Sequence, residues 1–423
     1  MSDHFDLRRA GRVLLALAVA AILFATLRPS PGQDLEEWAH CLICGSRGTA
    51  DVIVNVILFL PLGAAFVMAG ARVRGATILA ALLSLGIELT QMWIPGRDPS
   101  YGDLLFNTVG GALGAWATTV APLLLYPGER RAARFSLAVA AAAAGVVGAT
   151  GYILSPSFPA TQYYGQWAAN LGHLEQYDGR VLAATLGTIP IPPNRIAETD
   201  TVRSLLLGGA PLHITAIAGT PPAALAPLIS IYDNHQQEIV LVGPDGDDLV
   251  YRFRTHATVL RLDQPPLRAP GALRGTAPGD TLRVAVTEDA GKFCLAVGDD
   301  ASCGHGFRAS EGWALLYFSD SFTPALRVLL GFLWLGMLVF PFGYWFRRGW
   351  ESVTGGAVLL GALVPLPARL GLLPLSASEW AAVAGFLLLA RLARQWVQRR
   401  ELEPKRTPFH SPGASSEPVS IHR

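Results

Sequence analysis

Seven polar residues lie in or beside apolar runs, and their spacing repeats. Asp51 and Asn55 are four apart at the start of one run, and Asp103 and Asn107 are four apart at the start of another. Residues four apart share one face of a helix, one turn above the other. Glu88 and Gln91, three apart, lie near the end of a run between these two, and Arg97 follows. If the middle run returns antiparallel, all seven residues gather at one end of three helices. Two helix N-termini would point there with partial positive charge, and Arg97 adds a full one. Such a place suits an anionic headgroup, phosphate or carboxylate. An ionised carboxylate inside a span costs about 2.5–3.5 kcal/mol at mid-bilayer, so Glu88 is a functional candidate with Arg97 as its expected partner. Plainer roles stand beside this one. Asp51 and Asp103 also suit N-caps. Asn55 and Asn107 suit interhelical hydrogen bonds, Gly110 and Gly114 suit close packing, and Glu88 with Arg97 suits a structural ion pair.

The elements that must position these residues follow from composition. The chain has 423 residues, 51% hydrophobic and 15% charged, against about 25% charged in an ordinary soluble protein. Mean hydropathy is +0.37. A net charge of +1 excludes nucleic-acid binding driven by bulk charge. Runs near the ~20 residues that a bilayer requires occur at 13–27, 52–70, 76–93, 104–126, 135–154, 325–346, 354–368 and 380–390, which predicts about eight transmembrane helices. The first run has a basic start but no small-residue cleavage site, and reads as an uncleaved anchor. Pro365 and Pro367 interrupt the seventh. Arginines at 8, 9, 12, 72, 74, 130, 131, 134, 347, 348 and from 391 onward fall on one side of this arrangement. By the positive-inside rule both termini face the cytoplasm across an inner membrane, and residues 155–322 are extracytoplasmic. The expected division is a five-helix unit at 1–154, the outer domain at 155–322, three helices at 323–397, and a disordered tail at 398–423.

The ordered set Asp51, Asn55, Phe59, Pro61, Gly63, then Glu88, Gln91, Pro95, Arg97, then Asp103, Asn107, Gly110, Gly114 resembles the VanZ-like membrane proteins. The likeness covers about the first 125 residues. It implies a cell-envelope setting and a link to glycopeptide-antibiotic susceptibility, teicoplanin in particular. It implies no particular reaction.

The middle of the chain carries short strand-like runs at 228–232, 238–242, 249–254, 281–286 and 292–297, separated by turn residues. That spacing predicts a β-sandwich or barrel. The strand order resembles laminin-G and concanavalin-like jelly rolls, which implies a glycan- or protein-binding surface. Cys294 and Cys303 flank the turn of the last hairpin and are expected to form a disulfide. Cys41 and Cys44 in the first outer loop are expected to form another, with a reduced thiol pair as the alternative. All four fall in a disulfide-permissive compartment. Asp245, Asp247 and Asp248 lack the ligand spacing of a calcium loop. No metal and no cofactor is expected, and the scattered histidines form no catalytic pattern. The reading is a non-catalytic protein that binds an anionic membrane lipid or envelope component. The alternatives are an enzyme acting on an envelope lipid or glycan, with Glu88 as acid/base, and an amphiphile transporter.

Overall fold

The structure is a computed structural model and describes residues 2–29, 42–43, 45–97, 99–172, 174–289 and 291–402. Five helices come first: α1 (Ser2–Thr26), α2 (Gly48–Ala69), α3 (Val73–Gln91), α4 (Tyr101–Leu125) and α5 (Glu129–Leu154). An all-antiparallel β-sandwich follows. One sheet has the order β1 (Tyr163–Trp167), β5 (Ile229–Asp233), β6 (Glu238–Asp245), β7 (Asp248–Phe253), β8 (Leu267–Ala269). The other has the order β11 (Asp300–His305), β10 (Lys292–Val297), β9 (Thr281–Asp289), β4 (Leu212–Ile217), β2 (Arg180–Leu186), β3 (Ile189–Pro190). Two short helices, α6 (Thr199–Leu207) and α7 (His256–Val259), decorate it. The chain then returns to α8 (Pro324–Trp345), α9 (Trp350–Leu363), α10 (Pro365–Arg369) and α11 (Ala377–Leu402).

Among the described residues six helices are long and apolar enough to cross a membrane: α1 over Leu7–Thr26, α2, α3, α4, α5 and α8. The two remaining expected spans take another form. Helix α9 ends at Leu363 because Pro365 offers no N–H, and proline is accepted again only in the first turn of α10. Helix α11 has 26 residues, about 39 Å at ~1.5 Å each, but its second half carries Arg391, Arg394 and Arg399. About eight helices therefore build the membrane part. Large apolar side chains such as Ile78, Leu82, Trp116, Val328 and Met337 point outward from it, as lipid-facing residues do.

The helices divide between two cores, with Ala50 of α2 reaching into the second. Ala18, Ile22, Phe59, Leu62, Ala80 and Ile87 close a core inside α1–α3, and α2 packs closely on α4. Helix α5 packs on α8 and α9 instead, and its Ala140, Ala143 and Val147 join the core that runs into the sandwich. Packing thus groups α5 with the C-terminal helices, whereas chain order grouped it with α1–α4. At the end away from the sandwich the two groups meet where Tyr344 Oη donates to Leu125 O (2.8 Å) and Trp345 Nε1 to Leu124 O (2.8 Å).

Glycines set the α2–α4 distance. A Cβ on Gly63 would sit 1.9 Å from Gly111 O, and one on Gly114 1.9 Å from Leu60 O. Backbone touches backbone here, as small residues allow in membrane helices.

In the sandwich, alternate residues of β9 and β4 turn inward as a two-layer sheet requires. Phe253 on β7 and Phe293 on β10 meet between the sheets with ring centroids 5.2 Å apart. Strand β6 is buried on both faces, because Leu171, Leu174 and Leu225 cover Leu241 and Val250 from outside. Cys294 and Cys303 face each other in the β10–β11 register and are bonded. Cys41 and Cys44 lie outside the described residues, as does the chain beyond 402. Arg268 pairs with Asp245 (2.6 Å) and Asp248 (3.1 Å), which accounts for most of the acidic turn.

The sandwich also rests on α8 and α11 through the 3-10 turn Ala309–Leu315. There Arg308 N donates to Glu311 Oε2 (2.7 Å), and Ser310 Oγ donates to Glu379 Oε1. Desolvation pushes the Glu311 carboxyl up to about 7, against the lowering effects of the Arg308 N–H and guanidinium.

Two outcomes follow. Gly114→Ala forces α2 and α4 apart and should cost about 1–3 kcal/mol, seen as a lower melting temperature in detergent. Glu311 binds its proton more tightly folded than unfolded, so its contribution to stability falls as pH rises from about 4.5 through about 7. Glu311→Gln should therefore lose less thermal stability than the wild type between about pH 5 and about pH 8.

Candidate functional site

Helices α1 and α3 end, and α2 and α4 begin, at the same side of the bundle, and the sandwich sits on that side. The seven expected residues all lie at this end. Helix spacing puts Ser84, Glu88 and Gln91 on one face of α3, and all three are buried, with Glu88 7% and Gln91 6% exposed. Asn107 of α4 is 2% exposed and its Nδ2 donates to Ser84 Oγ (3.0 Å). Asn55 Nδ2 donates to Asp103 Oδ1 (2.8 Å), binding α2 to α4. Glu88 Oε2 accepts from Ser100 N (2.7 Å) in the approach to α4. Gln91 Nε2 donates to Thr26 O (3.0 Å) at the end of α1. Asp51, on the exposed side of α2, and Glu88 both lie within electrostatic reach of Asp103.

Three expectations change. Arg97 does not pair with Glu88. Its Nε donates to Arg28 O (2.9 Å) and its Nη2 to Ala25 O (3.3 Å). The last carbonyls of a helix have no intrahelical partner and carry the negative end of the dipole, so the guanidinium is drawn to the end of α1.

Asp51 and Asp103 are not N-caps. Arg47 and Ser100 hold those positions, and Ser100 Oγ accepts from Gly102 N (3.1 Å). Each aspartate lies within the first turn, where its charge opposes the dipole.

The N-terminus of α2 is also not open to an anion. Thr49 N and Ala50 N of α2 both donate to Arg261 O (3.2 and 3.3 Å), a carbonyl supplied by the sandwich. Arg261 takes a left-handed conformation, φ 55°, and its Nη1 donates to Ile43 O (2.9 Å). Beside it, Arg47 Nη2 bonds Asp263 Oδ2 at 2.5 Å, with Asp263 3% exposed. The Arg47 guanidinium also lies 4.1 Å from the Phe318 ring centroid.

What remains is a site rich in acceptors. Asp51, Glu88 and Asp103 are carboxylates. Gln91 Oε1 and Asn107 Oδ1 are buried and have no partner among the described residues. Buried acceptors left without donors are costly. Ser84 and Ser100 belong to this site although the opening pattern omitted them. Both left a signal: Ser84 is four before Glu88, and Ser100-Tyr-Gly-Asp103 matches the Ser-x-x-acid start of a helix. Arg261 and Asp263 had none, since they arrive from more than 200 residues away.

Residues 10–123 match the VanZ/LLP1 family model. The match takes in α1 to α4 and all seven cluster residues, about a quarter of the chain. No curated protein and no solved structure matches the chain.

A double-mutant cycle tests the roles of Arg97 and Glu88. Arg97→Ala should loosen the end of α1, seen as faster amide exchange over 20–28, and Glu88→Gln should leave that segment unchanged. Their coupling in thermal stability should stay below about 0.5 kcal/mol, as for independent sites, where a direct ion pair between them would give up to about 3 kcal/mol.

Proposed function

We propose that this is a non-catalytic multi-pass protein of the inner membrane of the cell envelope. Both termini are cytoplasmic and the sandwich lies outside. The cluster at the sandwich side of α1–α4 holds the head group of an envelope lipid. The sandwich above it engages a glycan or protein of the envelope. The arginine-rich turns before α3, before α5 and after α8 all lie at the end away from the sandwich, in support of this orientation. The disulfide in β10–β11 suits an oxidising compartment.

One observation carries the head-group reading: two buried amide oxygens, Gln91 Oε1 and Asn107 Oδ1, lack donors among the described residues beside the carboxylates of Glu88 and Asp103. A head group that completes this site supplies N–H or O–H donors. Its chemistry is that of a primary ammonium or a sugar hydroxyl. An anionic phosphate suits it less, because it would meet the Glu88 and Asp103 carboxylates and would find the first N–H groups of α2 already bound to Arg261 O. The link to glycopeptide-antibiotic susceptibility is a proposal carried by the family match alone.

Phosphatidylethanolamine and phosphatidylcholine separate this reading from simple membrane solvation, since choline carries the same charge without N–H donors. Native mass spectrometry of the full chain in mild detergent should show ethanolamine lipid retained about tenfold over choline lipid. Gln91→Met with Asn107→Leu should remove the preference while the protein stays monodisperse. Equal retention of the two lipids by the wild type, together with no retained glycolipid, would defeat the proposal.

A further inference from the structure

A second polar site lies at the opposite end of the molecule, outside the matched family segment. The end of α8, the start of α5 and the second half of α11 line a half-open cavity of about 440 Å³, within the range of ligand pockets. Arg347, Arg348, Arg391 and Arg394 line it with Gln395 and Gln398, against one carboxylate, Glu129.

These guanidiniums are held, and the single Glu129 carboxylate within electrostatic reach of Arg347 and Arg394 neutralises them only in part. Arg347 is 7% exposed, and its Nη1 donates to Tyr344 O (3.2 Å) and Phe346 O (2.9 Å). Arg394 Nη1 donates to the same Phe346 O (2.9 Å). The two cations thus cap the end of α8, where the dipole is negative. A guanidinium has five N–H donors, and these bonds use few of them. Arg394 Nε is buried without a partner among the described residues. None of the four arginines takes part in an ion pair among the described residues. Two fixed, partly desolvated cations beside two exposed ones form a receptor for an anion with several oxygens.

We propose that this cavity binds an anionic phosphate group, and that its occupant is the head group of an anionic phospholipid in the leaflet away from the sandwich. The surface beside the cavity favours lipid over free phosphate. Leu388, Leu389 and Leu392 of α11 are 58%, 53% and 50% exposed next to Arg391, a track along which acyl chains lie once the phosphate is seated. Basic pockets between helices at a membrane surface are suited to such head groups. The site is separate from the acceptor-rich cluster in position and in sign.

The test uses the purified full chain with phosphatidylglycerol, phosphatidylcholine and inorganic phosphate as probes, read by native mass spectrometry. The wild type should retain phosphatidylglycerol at least about tenfold over phosphatidylcholine. Arg391→Gln with Arg394→Gln should abolish that preference. Arg348→Gln with Arg391→Gln leaves the caps of α8 intact and should lower the preference about threefold or more, which keeps the test decisive if the first variant fails to fold. Displacement of phosphatidylglycerol by millimolar inorganic phosphate supports the site and makes the free ion a competing occupant. Equal retention of the two lipids by the wild type, or undiminished preference in both variants, overturns the proposal. Neither pair of substitutions touches Gln91 or Asn107, so failure here leaves the head-group reading of the other end standing.

Discussion

The contact of α2 with α4, backbone against backbone, is the constraint on which the sandwich-side end depends. Gly63 meets Gly111 and Gly114 meets Leu60 with no side chain between, so the relative height of the two helices is set by main-chain atoms. That height brings Asn55 level with Asp103 and leaves Asn107 facing α3 at Ser84. With a longer side chain at any of these glycines the amides and carboxylates would part, although each would remain in its own helix.

The second constraint comes from the solvent. A bilayer offers no water to satisfy polar groups, so a membrane protein must satisfy them internally. Much of the polar inventory is used in that way: Arg97 and Gln91 close the end of α1, Ser100 opens α4, and Arg261 closes the start of α2. At the other end, Arg347 and Arg394 close α8. Against that background, groups left without partners carry information. In the cluster at the sandwich side the leftovers are two amide oxygens, with the Arg47 Nε donor near the start of α2, and at the far side the leftover is the Arg394 Nε donor.

The helical part of the fold was legible because hydrophobic run length is a strong signal and the arginines sort by side. The five clearest strands were legible from turn residues and β-branched runs. Strands β1, β2, β4 and β8 were not, because their sequences have short or mixed patterns that only pairing makes into a sheet. At the site, the identity of the seven residues was legible from helix spacing. Their partners were not. Arg97 and Glu88 are nine apart and opposite in charge, and nothing local says that the guanidinium will turn to α1. The N-cap readings of Asp51 and Asp103 went astray because Arg47 and Ser100, a few residues earlier, begin the helices. The grouping of α5 was hidden for a similar reason: a turn as short as the one before it suggests neighbours, while the core it completes comes from residues almost 200 positions later.

The division into two helix cores has a consequence for how the parts depend on each other. Helices α1–α4 carry their own apolar interior, and they join the remainder at a few places: the Arg47 contacts with Asp263 and Phe318, the Arg261 contacts, Ala50 in the core that runs into the sandwich, and two bonds at the far end. A unit joined so sparingly can be transplanted. The same four helices could stand alone or beneath a different outer module with little internal redesign. In this chain the sandwich, α5 and α8–α11 form a second body fitted to that unit.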